Sequence, residues 1–389
     1  MFVDVLDYER QQRIFKGLFF IMKMLTASSA RKKVLPVMRV SWTLFLVLTA
    51  LLWFLWPRLP LLSGISECVG TFLLVTCASY FLAKWLWGLV CVRLISGDGK
   101  AVLITGCDSG FGHLLAKFLA RDGFLVFAGC LDAKSEGALS LKNLKRIKVL
   151  QMDVTKDADI DNTHRIVKEE LGTHQLWAVV CNAGMMNNGL IEWMTMDSIK
   201  RIFDVNVFGV VRVVKRFLHM LRESRGRVVI VTSGHSYFTL PFITPYAMTK
   251  HAVISLVDGL RRECYEKSVD VVAIEPLLYR SRVTEAVGCV SAVEKELKSQ
   301  PTEVTANYSQ QEIRDWAQSV NALYNWRIKD DIQEIVDQMV LAVRETDPKS
   351  RYRTMSLFDY VWVGGLRALP AEAADIILFW LRKMLVWKK

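Results

Sequence analysis

The stretch Ala101-Val-Leu-Ile-Thr-Gly-Cys-Asp-Ser-Gly-Phe-Gly112 places the tightest limit on how this chain folds. A short apolar run, Ala101 to Thr105, meets a turn with glycines at 106, 110 and 112, and a helical pattern follows from His113 to Arg121. This is strand, glycine turn and helix. Gly106 permits the tight turn, Gly110 lets backbone approach a pyrophosphate, and Gly112 lets the helix pack closely. The helix N-terminus adds free N–H groups and partial positive charge. Further apolar runs recur: Phe124 to Cys130, Ile147 to Met152 before Asp153, Trp177 to Cys181 before Asn182-Ala-Gly184, Arg227 to Thr232, and Val269 to Ile274 before Glu275-Pro276. Helical stretches separate them. Five or six such strands predict an α/β fold, a Rossmann-like doubly wound parallel sheet. Ligands in such sheets bind at the carboxyl ends of the strands, where these polar residues fall.

Asp132 ends the second run, about twenty residues beyond the glycines, where an acid commonly holds the adenosine ribose hydroxyls and favours NAD over its phosphorylated form. No Arg stands beside it to meet a 2′-phosphate. The other role open to Asp132 is an ordinary helix cap. Tyr246 and Lys250 stand one helical turn apart, downstream of Ser233 and the strand Val228 to Val231. A lysine so placed can lower the phenol pKa, so that Tyr246 exchanges a proton with an alcohol or ketone. Taken alone, the pair equally describes two residues that share a helix face.

In order and spacing, Thr105-Gly-x-x-x-Gly110-x-Gly112, Asp153, Asn182-Ala-Gly184, Asn206, Ser233 and Tyr246-x-x-x-Lys250 resemble the short-chain dehydrogenase/reductase family over nearly all of residues 100–378. Within it the chain resembles the membrane-bound branch of hydroxysteroid, retinol and hydroxybutyrate dehydrogenases, through Ala101 to Gly112, Gly123 to Leu131, and the late Arg351-Tyr352, Phe358-Asp-Tyr360 and Leu369-Pro370. The resemblance implies that Tyr246 is the general acid/base at the carbinol. Lys250 would lower its pKa and contact the nicotinamide ribose, Ser233 would hold the substrate oxygen, and Asn206 would support a water-linked proton path. Hydride transfer moves charge onto or off one oxygen, and a Ser–Tyr pair stabilises that oxygen in both states. The implied dinucleotide contacts are Gly106, Asp108, Ser109, Gly110, Phe111, Gly112, Asp132, Asp153, Val154, Asn182, Ala183, Gly184, Tyr246, Lys250 and Pro276. NAD follows from Asp132, with NADP still open. A homodimer through the helices flanking Asn206 and Tyr246 is also implied. Three positions depart from the family pattern. Cys181 replaces the first Asn of Asn-Asn-Ala-Gly, Leu277 replaces the glycine after Pro276 near the nicotinamide, and Gly129 stands where many NAD-preferring relatives carry Asp.

Apolar residues make up 52% of the chain, with twelve Trp, and they are concentrated before the glycine turn. Residues 40–56 carry no charge, and residues 68–92 carry only Lys84. At about 1.5 Å per residue, the first run just spans a bilayer of about 30 Å and the second spans it with length to spare. An N-terminal transmembrane helical hairpin is therefore predicted. Arg31, Lys32, Lys33 and Arg39 before it, and Arg93 and Lys100 after it, put both flanks in the cytosol. If the second segment only lies in the interface, the catalytic part is lumenal instead. The first run starts too far from the N-terminus for an ordinary signal peptide. Asp4, Asp7 and Glu9 argue against a mitochondrial presequence. The net charge is +11, but the basic residues are scattered, and the clusters Arg31 to Lys33 and Lys388-Lys389 border apolar segments. They read as membrane flanks and not as a nucleic-acid face. Eight Cys without metal-ligand spacing point to free thiols in a reduced compartment and to no metal site.

Four parts follow: a basic, amphipathic segment 1–39, two membrane helices 40–96, the dehydrogenase domain 97–345, and a tail 346–389 whose helix from Ala373 to Trp387 lies in the membrane interface. The segment Tyr279 to Trp326 covers the substrate, and its Trp316, Tyr324 and Trp326 either line an apolar pocket or simply pack. The expected activity is interconversion of a lipophilic secondary alcohol and its ketone, a hydroxysteroid before a retinol or a 3-hydroxybutyrate-type alcohol. The expected place is the endoplasmic reticulum membrane, which the terminal Lys388-Lys389 suits, with the catalytic domain cytosolic; a mitochondrial membrane is the alternative. A non-catalytic dinucleotide-binding scaffold is the rival from another class. Leu277 encourages it, and the intact Asn206, Ser233, Tyr246 and Lys250 oppose it.

Overall fold

The computed structural model describes residues 67, 69–79, 82, 93–285 and 289–386. The chain divides into two compact units, Met1–Cys91 and Val92–Lys389. In the first, residues 69–79 are helical, with Phe72, Leu73, Leu74 and Val75 exposed. Residues 40–56 and much of 68–92 lie outside the described residues, and the predicted hairpin lies there with them. Among the described residues, no helix is long and apolar enough to cross a membrane.

The second unit begins with β1 (Lys100–Thr105), α1 (Gly110–Arg121), β2 (Leu125–Cys130), α2 (Glu136–Lys142), β3 (Ile147–Gln151), α3 (Asp157–Glu170) and β4 (Gln175–Cys181). It continues through α4 (Met196–Phe203), α5 (Gly209–Ser224), β5 (Arg227–Val231), α6 (Thr244–Cys264) and β6 (Asp270–Glu275). Then come α7 (Val290–Lys298), α8 (Gln310–Arg327), α9 (Gln333–Arg344), β7 (Arg351–Arg353), α10 (Leu357–Ala368) and α11 (Ala371–Val386). The strands form one sheet in the order β3-β2-β1-β4-β5-β6-β7, parallel throughout. The order reverses between β1 and β4, which makes their carboxyl ends the topological switch point.

The strands read as unbroken apolar runs because both faces of the sheet are covered. Along β1, Ala101 and Leu103 join the core under α3, α5 and α6, while Val102 and Ile104 join the core under α1, α2 and α9. In α5 the buried Val210, Val213, Val214, Phe217 and Leu221 recur at helical spacing and form its sheet-facing stripe. Phe217 is fully buried, and truncating such a residue to Ala costs about 3–5 kcal/mol.

The sheet has seven strands, one beyond the expected five or six. Strand β7 is only Arg-Tyr-Arg, so it shows no apolar run; Tyr352 alone is buried, at 1% exposure. Arg227 also differs from its surface-like appearance in the sequence. It is 1% exposed and donates to the backbone oxygens of Ala342 (2.9 Å) and Glu345 (2.8 Å), with the Trp177 ring 4.7 Å away. Arg227 therefore clamps the end of α9 against β5.

Candidate active site

The carboxyl ends of the strands border a cavity of about 1370 Å³. Part of its wall is the glycine turn. Gly106 has φ 72° and Gly110 has φ 64°, left-handed backbone that glycine adopts without strain. Gly112 answers a different need, because a Cβ there would stand 2.5 Å from both Asn182 Nδ2 and the Gly106 oxygen. Asn182 uses that space to donate to the backbone oxygens of Thr105 (2.9 Å) and Gly106 (3.0 Å). In return, Thr105 Oγ1 accepts from the N–H groups of Asn182 and Ala183, both at 3.0 Å. Together Thr105 and Asn182 lock the turn after β1 to the end of β4. Cys181 is buried at the end of β4, next to this lock.

Ser109, Gly110 and Phe111 line the cavity, as do Asp132, Asp153, Val154 and the segment Asn182-Ala-Gly184. Asp108 lines it too, but its carboxylate is committed to the protein, accepting from the backbone N–H groups of Leu131 and Asp132, each at 2.9 Å. It shapes the turn and joins it to the end of β2. Asp132 accepts from the Lys134 N–H (2.9 Å) in the turn before α2, whose cap is Ser135 and not Asp132; the second Asp132 oxygen has no protein partner among the described residues. At Gly129 a Cβ would stand 2.9 Å from Met152 Sδ and 3.2 Å from the Ile104 oxygen, so packing requires glycine there. Asp153 accepts from the Thr155 backbone (3.0 Å) and hydroxyl (2.7 Å).

Pro245 lies at the start of α6, where its missing N–H costs nothing, and the helix then carries Tyr246 and Lys250 to the cavity. Ser233 and Pro276 reach the same cavity from the ends of β5 and β6. Asn206 does not line it. It sits on a π-helical turn, Asp204–Phe208, at 1% exposure. Its Oδ1 accepts from the Met185 N–H (2.8 Å), and its Nδ2 donates to the Met185 oxygen (2.9 Å) and to Thr249 Oγ1 (3.1 Å). Asn206 thus ties the loop after Gly184 to the helix that carries Tyr246.

The Lys250 ammonium donates to the Val231 oxygen (3.1 Å) and lies 5.6 Å from the centroid of the Tyr246 ring. Among the described residues no carboxylate pairs with it, and burial pulls its pKa down to about 8. Burial pushes the Tyr246 phenol up to about 12, opposed by the Ser233 hydroxyl.

Leu277 lines the cavity, packed where a Cβ on Gly234 would stand only 2.5 Å from its Cδ1. The glycine at 234 makes room for the leucine at 277. Beside Tyr246 lies an apolar cover whose Trp193, Phe242 and Trp316 pack together and do not line the cavity. Trp316 stacks on Phe242 (5.8 Å, 8° between planes) and meets Trp193 edge-on at 6.5 Å. Trp326 is 51% exposed and lines nothing, whereas Tyr324, 4% exposed, belongs to the cluster on which Tyr246 packs. Glu296 of α7 fastens the cover by accepting from the Thr195 N–H (3.1 Å) and the Ser198 hydroxyl (2.6 Å).

Glu275, fully buried behind the site, accepts from the Tyr237 hydroxyl (2.6 Å) and pairs with Arg353 (2.5 Å) and Arg351 (3.3 Å). This network was invisible in sequence because its arginines belong to β7. Among the described residues, no group of three or more His, Cys, Asp or Glu is arranged to hold a metal ion.

The family model described as short chain dehydrogenase matches residues 100–289. Mouse estradiol 17-beta-dehydrogenase 2 is 35% identical over 289 residues, covering 73% of this chain and 75% of that protein. Bovine mitochondrial D-beta-hydroxybutyrate dehydrogenase is 34% identical, covering 68% and 78%, and mouse retinol dehydrogenase 7 is 33% identical, covering 72% and 88%. A Burkholderia phymatum short chain dehydrogenase/reductase solved with NAD shares the fold, with a TM-score of 0.57 at 19% identity over 73% of this chain and 96% of that one. A short-chain dehydrogenase from Streptomyces avermitilis gives a TM-score of 0.56 at 22% identity, over 72% and 96%. The chain belongs to the short-chain dehydrogenase family. It is a nicotinamide-dinucleotide-dependent oxidoreductase acting on CH–OH groups, and the glycine cradle at the switch point fits that cofactor.

Proposed function

We propose that this chain is a membrane-anchored, NAD-dependent dehydrogenase that interconverts a lipophilic secondary alcohol and its ketone, with hydroxysteroids as the substrate class. The observation that carries it is the convergence of Ser233, Tyr246 and Lys250 on the cavity that the glycine turn also lines. A bound nicotinamide supplies the hydride acceptor or donor. Tyr246 gives its proton to the carbonyl oxygen in reduction and takes one from the alcohol in oxidation. Ser233 hydrogen-bonds the same oxygen, and Lys250 holds positive charge beside the phenol. Asn206 keeps α6 in register with the loop after Gly184 and supports a water-linked proton path. The turn from Gly106 to Gly112 receives the pyrophosphate, with Asp108 and Ser109 shaping it and Phe111 beside it. Asp132 takes the ribose hydroxyls, which favours NAD. Asp153, Val154, Asn182, Ala183, Gly184 and Pro276 complete the dinucleotide contacts.

The apolar segments 40–56 and 68–92 support the anchor, as do the exposed Phe379 and Trp380 of α11. In this reading residues 1–39 lie on the membrane surface, 40–96 anchor the chain, 97–345 carry the dehydrogenase, and the tail 346–389 returns to the membrane. The catalytic unit faces the cytosol from the endoplasmic reticulum and pairs with a second copy through α5 and α6. The apolar side chains that line the cavity, among them Met186, Met196, Ile199, Leu277 and Val283, suit a lipophilic substrate.

The test is NADH formation by membranes carrying the wild-type chain or Tyr246→Phe, across hydroxysteroids, retinol and 3-hydroxybutyrate, with NADP run in parallel. The expected result is NAD-dependent turnover of a hydroxysteroid, lowered about 10²–10⁴-fold in the variant. Turnover confined to retinol or 3-hydroxybutyrate overturns the substrate class. Cofactor binding without any Tyr246-dependent turnover makes the chain a scaffold.

A further inference from the structure

The loop that leaves β6 forms one wall of the cavity, which Pro276, Leu277, Tyr279, Ser281, Val283 and Thr284 all line. Phe111, in the first turn of α1, lines the same cavity from the glycine turn. The two walls meet in a ring pair. Tyr279 and Phe111 stand edge to face, with centroids 5.9 Å apart and planes at 87°. Tyr279 is 3% exposed and has no task in the chemistry above.

The other side of Tyr279 is held by polar contacts. Its hydroxyl donates to Glu334 in the first turn of α9 (3.0 Å). Lys329 pairs with the same carboxylate (2.6 Å), and its ammonium lies 5.7 Å from the centroid of the Tyr279 ring. Burial keeps the phenol protonated, so the hydroxyl is the donor. Around it, the Lys329 N–H donates to the Leu278 oxygen (3.0 Å), the Arg280 N–H to the Lys329 oxygen (2.9 Å), and the Thr284 hydroxyl to the Tyr279 oxygen (2.9 Å). These bonds staple the loop to the segment before α9. Each is worth about two- to twelve-fold in an equilibrium, and they act together. An edge-to-face ring pair contributes about as much, but only once. The loop is therefore held firmly at α9 and weakly at the glycine turn, and the weak joint is the contact with Phe111.

We propose that Tyr279 is a positioning residue for the dinucleotide: pinned to Glu334, it clasps Phe111, closes the loop after β6 onto the glycine cradle, and slows departure of the cofactor. The inference rests on the dinucleotide dependence of the family and not on the identity of the alcohol. The clasp strengthens the closed arrangement alone. It therefore lowers the dissociation rate and leaves the association rate, set by encounter with the open cavity, nearly unchanged.

The experiment uses the full chain in detergent with NADH, and NADPH in parallel, so that no alcohol is needed. Fluorescence of the bound reduced cofactor gives Kd, and a stopped-flow chase with excess oxidised cofactor gives the dissociation rate. Tyr279→Leu removes the ring, Tyr279→Phe removes only the hydroxyl, and Glu334→Ala removes the anchor from outside the cavity. Tyr279→Leu should speed dissociation about two- to twelve-fold, with Kd rising in step. Tyr279→Phe and Glu334→Ala keep the core filled, and so decide the matter if Tyr279→Leu does not fold. Each should speed dissociation about two- to twelve-fold. Tyr279→Phe combined with Glu334→Ala should do no more than either alone, because both break the same bond. In turnover, KM for the cofactor should rise while kcat holds or climbs. Unchanged dissociation in the variants, effects that multiply in the double variant, or a fall in kcat at unchanged cofactor KM overturns the clasp. A wild-type chain that binds neither reduced cofactor overturns it as well. The expected effects on NADPH with no binding of NADH uphold the clasp and remove the NAD reading.

Discussion

Replacing Lys250 by Met should stabilise the cofactor-free protein while lowering its activity. Lys250 is 6% exposed, and among the described residues its charge has only the Val231 oxygen as a hydrogen-bond partner. Burial pulls its pKa from 10.5 to about 8. At about 1.4 kcal/mol per pH unit, holding the ammonium charged at neutral pH costs the fold about 3 kcal/mol. Met keeps the length of the side chain and loses one hydrogen bond, worth about 1 kcal/mol. The net gain expected at pH 7 is about 2 kcal/mol. The sign with pH is also set. Below pH 8 both folded and unfolded chains carry the charge, and the penalty is complete. From about pH 8 to 10.5 the folded chain releases the proton while the unfolded chain keeps it, so stability rises with pH by up to about 1.4 kcal/mol per unit. The variant lacks this rise. Urea unfolding of both chains in detergent between pH 6 and 10, followed by circular dichroism, measures it. A variant less stable than wild type at pH 7, or parallel pH profiles above pH 8, would refute the reasoning.

Two further outcomes test the site. The Tyr246 phenol, raised to about 12, keeps its proton at neutral pH. In the free enzyme, kcat/KM for alcohol oxidation should therefore climb between pH 6 and 9 while ketone reduction does not; a flat oxidation profile rules the phenol out as the base. Gly234→Ala should alter turnover with little loss of stability, because its Cβ displaces Leu277 Cδ1, the free end of a side chain that lines the cavity, and adding Leu277→Gly should restore what was lost. A double variant no better than Gly234→Ala shows that the two positions are not coupled.

The sheet, the glycine turn and the Tyr–Lys spacing were legible in the sequence because each follows from local chemistry. A parallel strand buried on both faces must be continuously apolar, and Gly106 and Gly110 reveal left-handed backbone through their residue type alone. Tyr246 and Lys250 needed only the helical repeat to share a face. The tertiary structure decided what depends on contacts distant in sequence. Strand β7 is three residues with one apolar side chain, and it is a strand because β6 accepts it as a neighbour. Arg227 and Glu275 look like surface residues until α9 and β7 bury them among partners more than seventy residues away. That Asp108 accepts from the N–H groups of Leu131 and Asp132 and so joins the turn to β2 is likewise visible only in the fold. The acid–base balance at Tyr246 was likewise beyond sequence. Spacing brings a charge near the phenol, but only the fold buries both groups, which raises the phenol and lowers the ammonium.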